Sequence, residues 1–398
     1  MLPAGQPGLV YVGMMSQFNV ITCAPEGTYG SAPEFKPFDI LPWDLLWDYG
    51  PQQTLRMCAA TYYALISRPE TMDFNRFAPF GFDDSARKPA LKFNPRHVGF
   101  VYSAAMLMYY WSMHFARSGD VEKLEWTQAM ARKWRKLQNA NTGLLPHFIG
   151  SVEADDPDMS PRPYANVQDD KTGVILLKVA RELAARPEGS ELAALVRQMG
   201  MDQLRGIARY GYDPKDRRFV TWIWLDTGKE YTDATFYMFR TQADKDKAIE
   251  IDPQAEAAEV SAGATFWRGF LHDYSVGSDR PGTLAEAARM TNDPYLVERA
   301  AYWARELMDE TRPDVALTEA GQWTYPAYGS YARAMLDLYA ATRESEYLDH
   351  AKQLADEAVD GLSHPLPDGQ PEWWRLPFRS EFLGTLLARE QVLRKVRK

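Results

Sequence analysis

The chain reads as an all-α protein, an (α/α) toroid or barrel of repeated helical hairpins with a short β element near residues 217–225. Three observations predict this class. Three stretches join a polar turn to a helix that opens with an acidic residue and a leucine: Ser118-Gly119-Asp120-Val121-Glu122-Lys123-Leu124, Thr291-Asn292-Asp293-Pro294-Tyr295-Leu296 and Thr342-Arg343-Glu344-Ser345-Glu346-Tyr347-Leu348. Alanine then recurs at helical spacing, at Ala129, at Ala300 and Ala304, and at Ala351 and Ala355. Finally, 98–117 is apolar nearly all round, as a helix covered on every side must be. A ring of such pairs encloses a cleft that the segments between hairpins would line.

In chain order, residues 1–50 read as an irregular segment rich in Gly, Pro and aromatics. A helix over 52–67 presents Leu55, Cys58, Ala59, Tyr62 and Leu65 on one broad face. A loop with Pro69, Pro79, Gly81 and Pro89 leads to Phe93-Asn94-Pro95-Arg96-His97. The apolar helix over 98–117 (Tyr102, Ala105, Met106, Tyr109, Met113) is followed by an amphipathic partner over 121–139 with Leu124, Met130, Trp134 and Leu137. Asn141-Thr142-Gly143 ends that partner with residues that tolerate left-handed backbone. A long loop over 144–163, broken by Pro146, Pro157, Pro161 and Pro163, is of the kind that often carries function. Helices follow over 166–185 and 191–209, and alternation marks a strand over 217–225. Further helices are expected over 253–274, 284–291, 294–310, 328–342, 345–361 and 381–396, all within one domain spanning 1–398.

A net charge of -9 over 398 residues argues against nucleic acid as a partner. Two cysteines, Cys23 and Cys58, make neither a disulfide framework nor a zinc motif, and Cys58 reads as a small core residue. No run of about 18 apolar residues suggests a membrane span. The first residues lack a basic stretch before an apolar core, so no signal peptide is expected, which points to the cytoplasm unless the start is truncated. Most of the 12 Trp and 21 Tyr fill core; Trp222, Trp224 and Tyr328 are candidate platforms for sugar rings.

No HExxH, G-x-S-x-G, P-loop or G-x-G-x-x-G is present, which leaves nucleophilic hydrolase and nucleotide readings little support. Of six histidines, His97 begins an apolar helix beside Arg96, and His147 lies in the Pro-rich loop. Acid doublets such as Asp169-Asp170 mostly cap helices, yet Asp170 follows the long loop at the start of an inward-capable helix.

The run from Glu34 through Lys36, Trp43-Asp44-Leu45-Leu46-Trp47-Asp48 and Gly50-Pro51-Gln52-Gln53-Thr54 to Arg96-His97 resembles the catalytic region of the family 2 polysaccharide lyases, pectate lyases built as an (α/α) barrel. The resemblance implies β-elimination from a uronate-containing glycan such as pectate, with Arg96 as the base. It also implies one divalent metal ion on Glu34 and His97. The family's remaining ligand, an upstream His, is missing, since no His precedes position 97. Elimination needs the charge on the substrate carboxylate neutralised, for which Arg162 and Lys171 are candidates; His147 and Asp170 are further candidate substrate-binding residues. The leading expectation is therefore a lyase acting on an acidic polysaccharide or oligosaccharide. The alternatives are a glycoside hydrolase or sugar epimerase on the same barrel, using Asp170 or His147, and a non-catalytic glycan-binding relative.

Overall fold

The computed structural model describes residues 17–19, 24–26, 43–74, 100–147, 164–166, 170–215, 218–220, 222–230, 279–310 and 325–363. Helices account for 74% of them, which decides the class as all-α. The chain divides into two compact units, Met1–Gln203 with Trp224–Thr227, and Leu204–Ile223 with Gly228–Lys398.

In the first unit, β1 (Gln17–Asn19) pairs antiparallel with β2 (Ala24–Glu26). Helices α1 (Trp43–Tyr49) and α2 (Pro51–Leu65) lead into an antiparallel pair, β3 (Ile66–Arg68) with β4 (Asp73–Phe74). Then come α3 (Val101–Ser118), α4 (Val121–Leu137), β5 (Tyr164–Asn166), α5 (Asp170–Leu183) and α6 (Ser190–Tyr210). Helix α3 packs against α2, α4 and α5, and every residue from Ser103 to Phe115 is buried. That segment carries no acidic or basic residue except His114, so nothing opposes its enclosure. Each fully buried apolar side chain here, among them Met106, Leu107, Met108 and Trp111, contributes roughly 1.5–3 kcal/mol relative to exposure.

Aromatic contacts tie α3 to its neighbours. The Trp111 indole N–H donates to the Thr61 hydroxyl at 3.1 Å, and Tyr62 stacks on Trp126 with ring centroids 3.8 Å apart. The Lys123 ammonium lies 3.8 Å from the centre of the Trp126 ring, a cation–π contact away from bulk water. Cys58 is the core residue expected of it, and burial pushes its thiol pKa up. Helix α4 is amphipathic: Trp126, Met130 and Trp134 face inward, while Glu125 and Arg132 face solvent.

In the second unit, β6 (Tyr212–Asp213) pairs antiparallel with β7 (Arg218–Phe219). The strand β8 (Trp222–Trp224) follows, then α7 (Asp279–Thr291), α8 (Pro294–Glu310), α9 (Tyr325–Thr342) and α10 (Ser345–Ser363). Helix α9 packs against α7, α8 and α10 and is buried continuously from Ala334 to Tyr339. Its hairpin partners are one-sided, as expected: α8 buries Leu296, Ala300, Trp303 and Ala304, and α10 buries Tyr347, Ala351, Leu354 and Ala355.

The three sequence turns are one structure built three times. The residues after α3, α7 and α9 take positive φ, at Gly119 (75°), Asn292 (50°) and Arg343 (67°). Their N–H groups donate to Phe115, Ala288 and Tyr339 carbonyls at 2.8, 2.8 and 2.9 Å, closing each helix. The preceding hydroxyl donates one turn back, Ser118 to His114, Thr291 to Ala287 and Thr342 to Leu338. The same hydroxyl accepts the N–H of the acidic residue two positions on, from Asp120, Asp293 and Glu344. Asp120 and Asp293 then cap the next helix by accepting from Glu122 and Leu296 at 3.1 Å each.

The sequence reading departs from the structure in places. Residues 43–49 were read as irregular but form α1, whose single stretch is too short for periodicity to mark. It is held from outside by the Gly50 N–H and Thr54 hydroxyl, both bonding the Leu46 carbonyl at 3.0 and 2.9 Å. The strand expected over 217–225 is two short strands, and Ile223 bridges back to Glu230 around Gly228. The helices expected over 253–274 and 381–396 lie outside the described residues. Among the described residues no helix is long and apolar enough to cross a membrane.

Candidate functional site

The segment after α4 supplies the first candidate side chain, His147. Asn139 turns the chain: its side-chain oxygen accepts from the N–H groups of Asn141 and Thr142, and its main-chain N–H donates to Leu144 at 2.9 Å. Gly143 follows at φ 77°, where an added Cβ would stand 2.5 Å from the Asp202 carbonyl oxygen. Only glycine allows α6 to lie that close. The strap 143–147 then runs inward, with Leu144, Leu145 and His147 at 0% exposure.

Backbone bonds fix this strap on several sides. Gln138 donates from Nε2 to Gly143 at 2.7 Å and to Met199 at 3.0 Å. The Leu145 N–H donates to Gln203 Oε1 at 2.7 Å. The His147 N–H donates to Tyr164 at 2.9 Å, and its carbonyl accepts from Val101 at 3.0 Å. Val101 opens α3, and Phe100 before it provides no side-chain cap, so His147 satisfies an otherwise orphaned helix donor. The imidazole lies between aromatic rings, 5.0 Å from Phe100 and 6.2 Å from Tyr164.

Asp170 is the second. It opens α5, beside α3, and is fully buried. A carboxylate in a first helical turn is favoured by the helix dipole. Tyr164 is bonded to His147, and the chain from Tyr164 to Asp170 spans at most about 20 Å. The strap thus bonds the start of α3, and Asp170 starts α5, the helix that packs against α3.

Other sequence candidates fall elsewhere. Lys171 is half-buried on α5; Trp222 and Trp224 are half-buried on one face of β8, opposite buried Ile223. Glu34, Arg96, His97 and Arg162 lie outside the described residues, as does the side chain of Tyr328, whose backbone belongs to α9. The metal expectation rested on Glu34 and His97. Among the described residues no group of three or more His, Cys, Asp or Glu is placed to hold a metal ion. Gln203 escaped the sequence reading, although a signal was present: it interrupts the stripe Leu192, Val196, Met199, Ile207 at a position where a hydrophobe is expected.

No family model and no curated protein sequence matches the chain. Solved structures do. An unsaturated glucuronyl hydrolase from Bacillus sp. GL1, responsible for degradation of glycosaminoglycan, is 11% identical, with 82% of this chain and 74% of that chain covered and a TM-score of 0.43. A D-mannose isomerase is 11% identical over 82% of this chain and 74% of that chain, with a TM-score of 0.46. A sugar epimerase from a ruminal bacterium is 12% identical over 90% of this chain and 81% of that chain, with a TM-score of 0.48. The resemblance to family 2 polysaccharide lyases is overturned by this outcome: no family model matches, and these three structures are a hydrolase, an isomerase and an epimerase rather than pectate lyases. The motif behind it was short, and a Glu-x-Lys followed far downstream by Arg-His arises readily without common descent.

Proposed function

We propose that this protein is a sugar-processing enzyme of the glycoside hydrolase kind, in which Asp170 and His147 move protons at a bound oligosaccharide. The reading is supported by two fully buried side chains, the imidazole of His147, whose main chain bonds the start of α3, and the acid Asp170, which opens α5, a helix packed against α3. Buried proton-carrying groups concentrate at active sites, because low dielectric and fixed neighbours tune their acidity. The structural likenesses, all with TM-scores below 0.5, are not needed for it.

In hydrolysis, one of the two groups gives a proton to the departing glycosidic oxygen while the other takes one from the attacking water. The imidazole favours a second reading, epimerisation, in which one group removes a proton from a sugar carbon and the other returns one to the opposite face. Lys171 is proposed to meet a negatively charged substituent, and Trp224, in the same unit, to stack on a sugar ring.

The test is turnover of an oligosaccharide panel in D2O. Hydrolysis releases new reducing ends without deuterium at carbon, and epimerisation places deuterium on the inverted carbon. His147→Asn lowers kcat by about 10²–10⁴-fold in either case. Unchanged kcat in that variant, on a substrate the wild type turns over, removes His147 from the reading.

A further inference from the structure

We propose that Gln203 is a positioning residue for His147, acting through the main chain of the strap rather than by touching substrate. This rests on the reading of His147 as a proton-transfer group.

Gln203 is fully buried on α6, and its Oε1 accepts the Leu145 N–H at 2.7 Å. Its Nε2 has no hydrogen-bond partner among the described residues. A buried amide that leaves a donor unmade is a poor choice for packing alone, because a leucine or methionine would fill the space without that penalty. What the amide adds is an acceptor at one place, two residues before the imidazole. The Pro146 between them has no N–H and a fixed φ, so a restraint on Leu145 passes to His147 with little slack. The other anchors lie on either side: Gln138 holds Gly143, and Tyr164 and Val101 hold His147 itself. Between them the Thr142 hydroxyl accepts the Leu144 N–H at a longer 3.4 Å, and among the described residues Gln203 is the side-chain anchor nearest in sequence to the ring.

The experiment replaces the amide with a side chain of similar size and no acceptor, Gln203→Met, and with one that keeps an acceptor, Gln203→Glu. Histidine acylation by diethyl pyrocarbonate, mapped by peptide mass spectrometry, reads the exposure of each of the six histidines without any need for activity. The expected result is a roughly tenfold faster acylation of His147 in Gln203→Met, with the other histidines unchanged and protection recovered in Gln203→Glu. On a substrate that the wild type turns over, Gln203→Met lowers kcat and leaves KM in place. Unchanged acylation of His147 in Gln203→Met overturns the proposal. So does a Leu145 amide that, in the wild type, exchanges with D2O far faster than the amides of α6, a measurement that stands if a variant does not fold. If Gln203→Met unmasks the ring while His147→Asn keeps full turnover, the clamp is real but serves no reaction. That outcome overturns the catalytic half and the reading of His147 together, whereas the first two leave that reading intact.

Discussion

Asp170 in the first unit and Asp337 in the second are both buried carboxylates on enclosed helices, yet they are held in opposite ways. Asp337 lies near the C-terminal end of α9 and accepts from Arg289 Nε at 2.6 Å, with Arg333 Nε at 3.5 Å. Burial raises its carboxyl pKa, the two guanidinium groups pull it back, and Glu286 adds to the rise. Asp170 instead opens its helix, α5, which packs against α3. Burial of an acid is therefore not by itself a mark of chemistry. Asp337 joins α7 to α9 through paired charge, as Asp73 ties β4 to α4 through Lys133 at 2.5 Å. What sets Asp170 apart is its place in the first turn of α5, whereas Asp337 lies in the C-terminal half of α9.

The contrast can be broken hardest at the strap. Gly143→Ala must accommodate a Cβ 2.5 Å from the Asp202 carbonyl at a φ of 77°, so it costs about 3 kcal/mol in chemical denaturation. It also lowers turnover, because the strap carries His147. A smaller effect is expected on the second unit's side. Asp293 caps α8 and meets Arg205 at 2.6 Å, so Asp293→Ala costs about 1–2 kcal/mol and leaves turnover alone, the half-exposed arginine adding little. Although burial pushes the Asp293 carboxyl up, its bonds to Arg205 and the helix N–H groups hold it below the usual range. Its contribution is therefore present above the ordinary carboxylate pKa and lost as pH falls through the depressed one.

Arg343→Gly works in the opposite direction. Removing a side chain from a φ of 67° stabilises the α9–α10 turn by about 1 kcal/mol, read as a higher Tm, and shows whether the Gly119 turn gains from its glycine. The smallest effect is one of slope. Because the folded Asp337 carboxyl binds its proton more tightly than the unfolded one, stability contributed at low pH is lost as pH rises through the raised value. Asp337→Asn flattens that part of the stability–pH curve.

Much of the helical architecture was legible because it repeats locally. The hydroxyl, the turn residue and the acidic cap sit within three consecutive positions, so Ser118-Gly119-Asp120 and its two counterparts announce themselves. The apolar run of α3 likewise declared its enclosure. The site was less legible, because its parts meet only through folding. Asp170 could be suspected from its helix start, and His147 from its loop. That Tyr164 and Val101 bond the His147 main chain, and that Gln203 reaches Leu145, depends on long-range hydrogen bonds with no local pattern. The lyase resemblance failed for a related reason: a few spaced polar residues, without the geometry joining them, carry little information.

The most direct measurement compares Asp170→Asn with Asp337→Asn in one assay, turnover and thermal melting together. Asp170→Asn is expected to lose at least about 100-fold in kcat with a near-native Tm, whereas Asp337→Asn keeps its kcat. Full turnover in Asp170→Asn, with a large fall in Tm, would instead make Asp170 a structural acid of the same kind as Asp337.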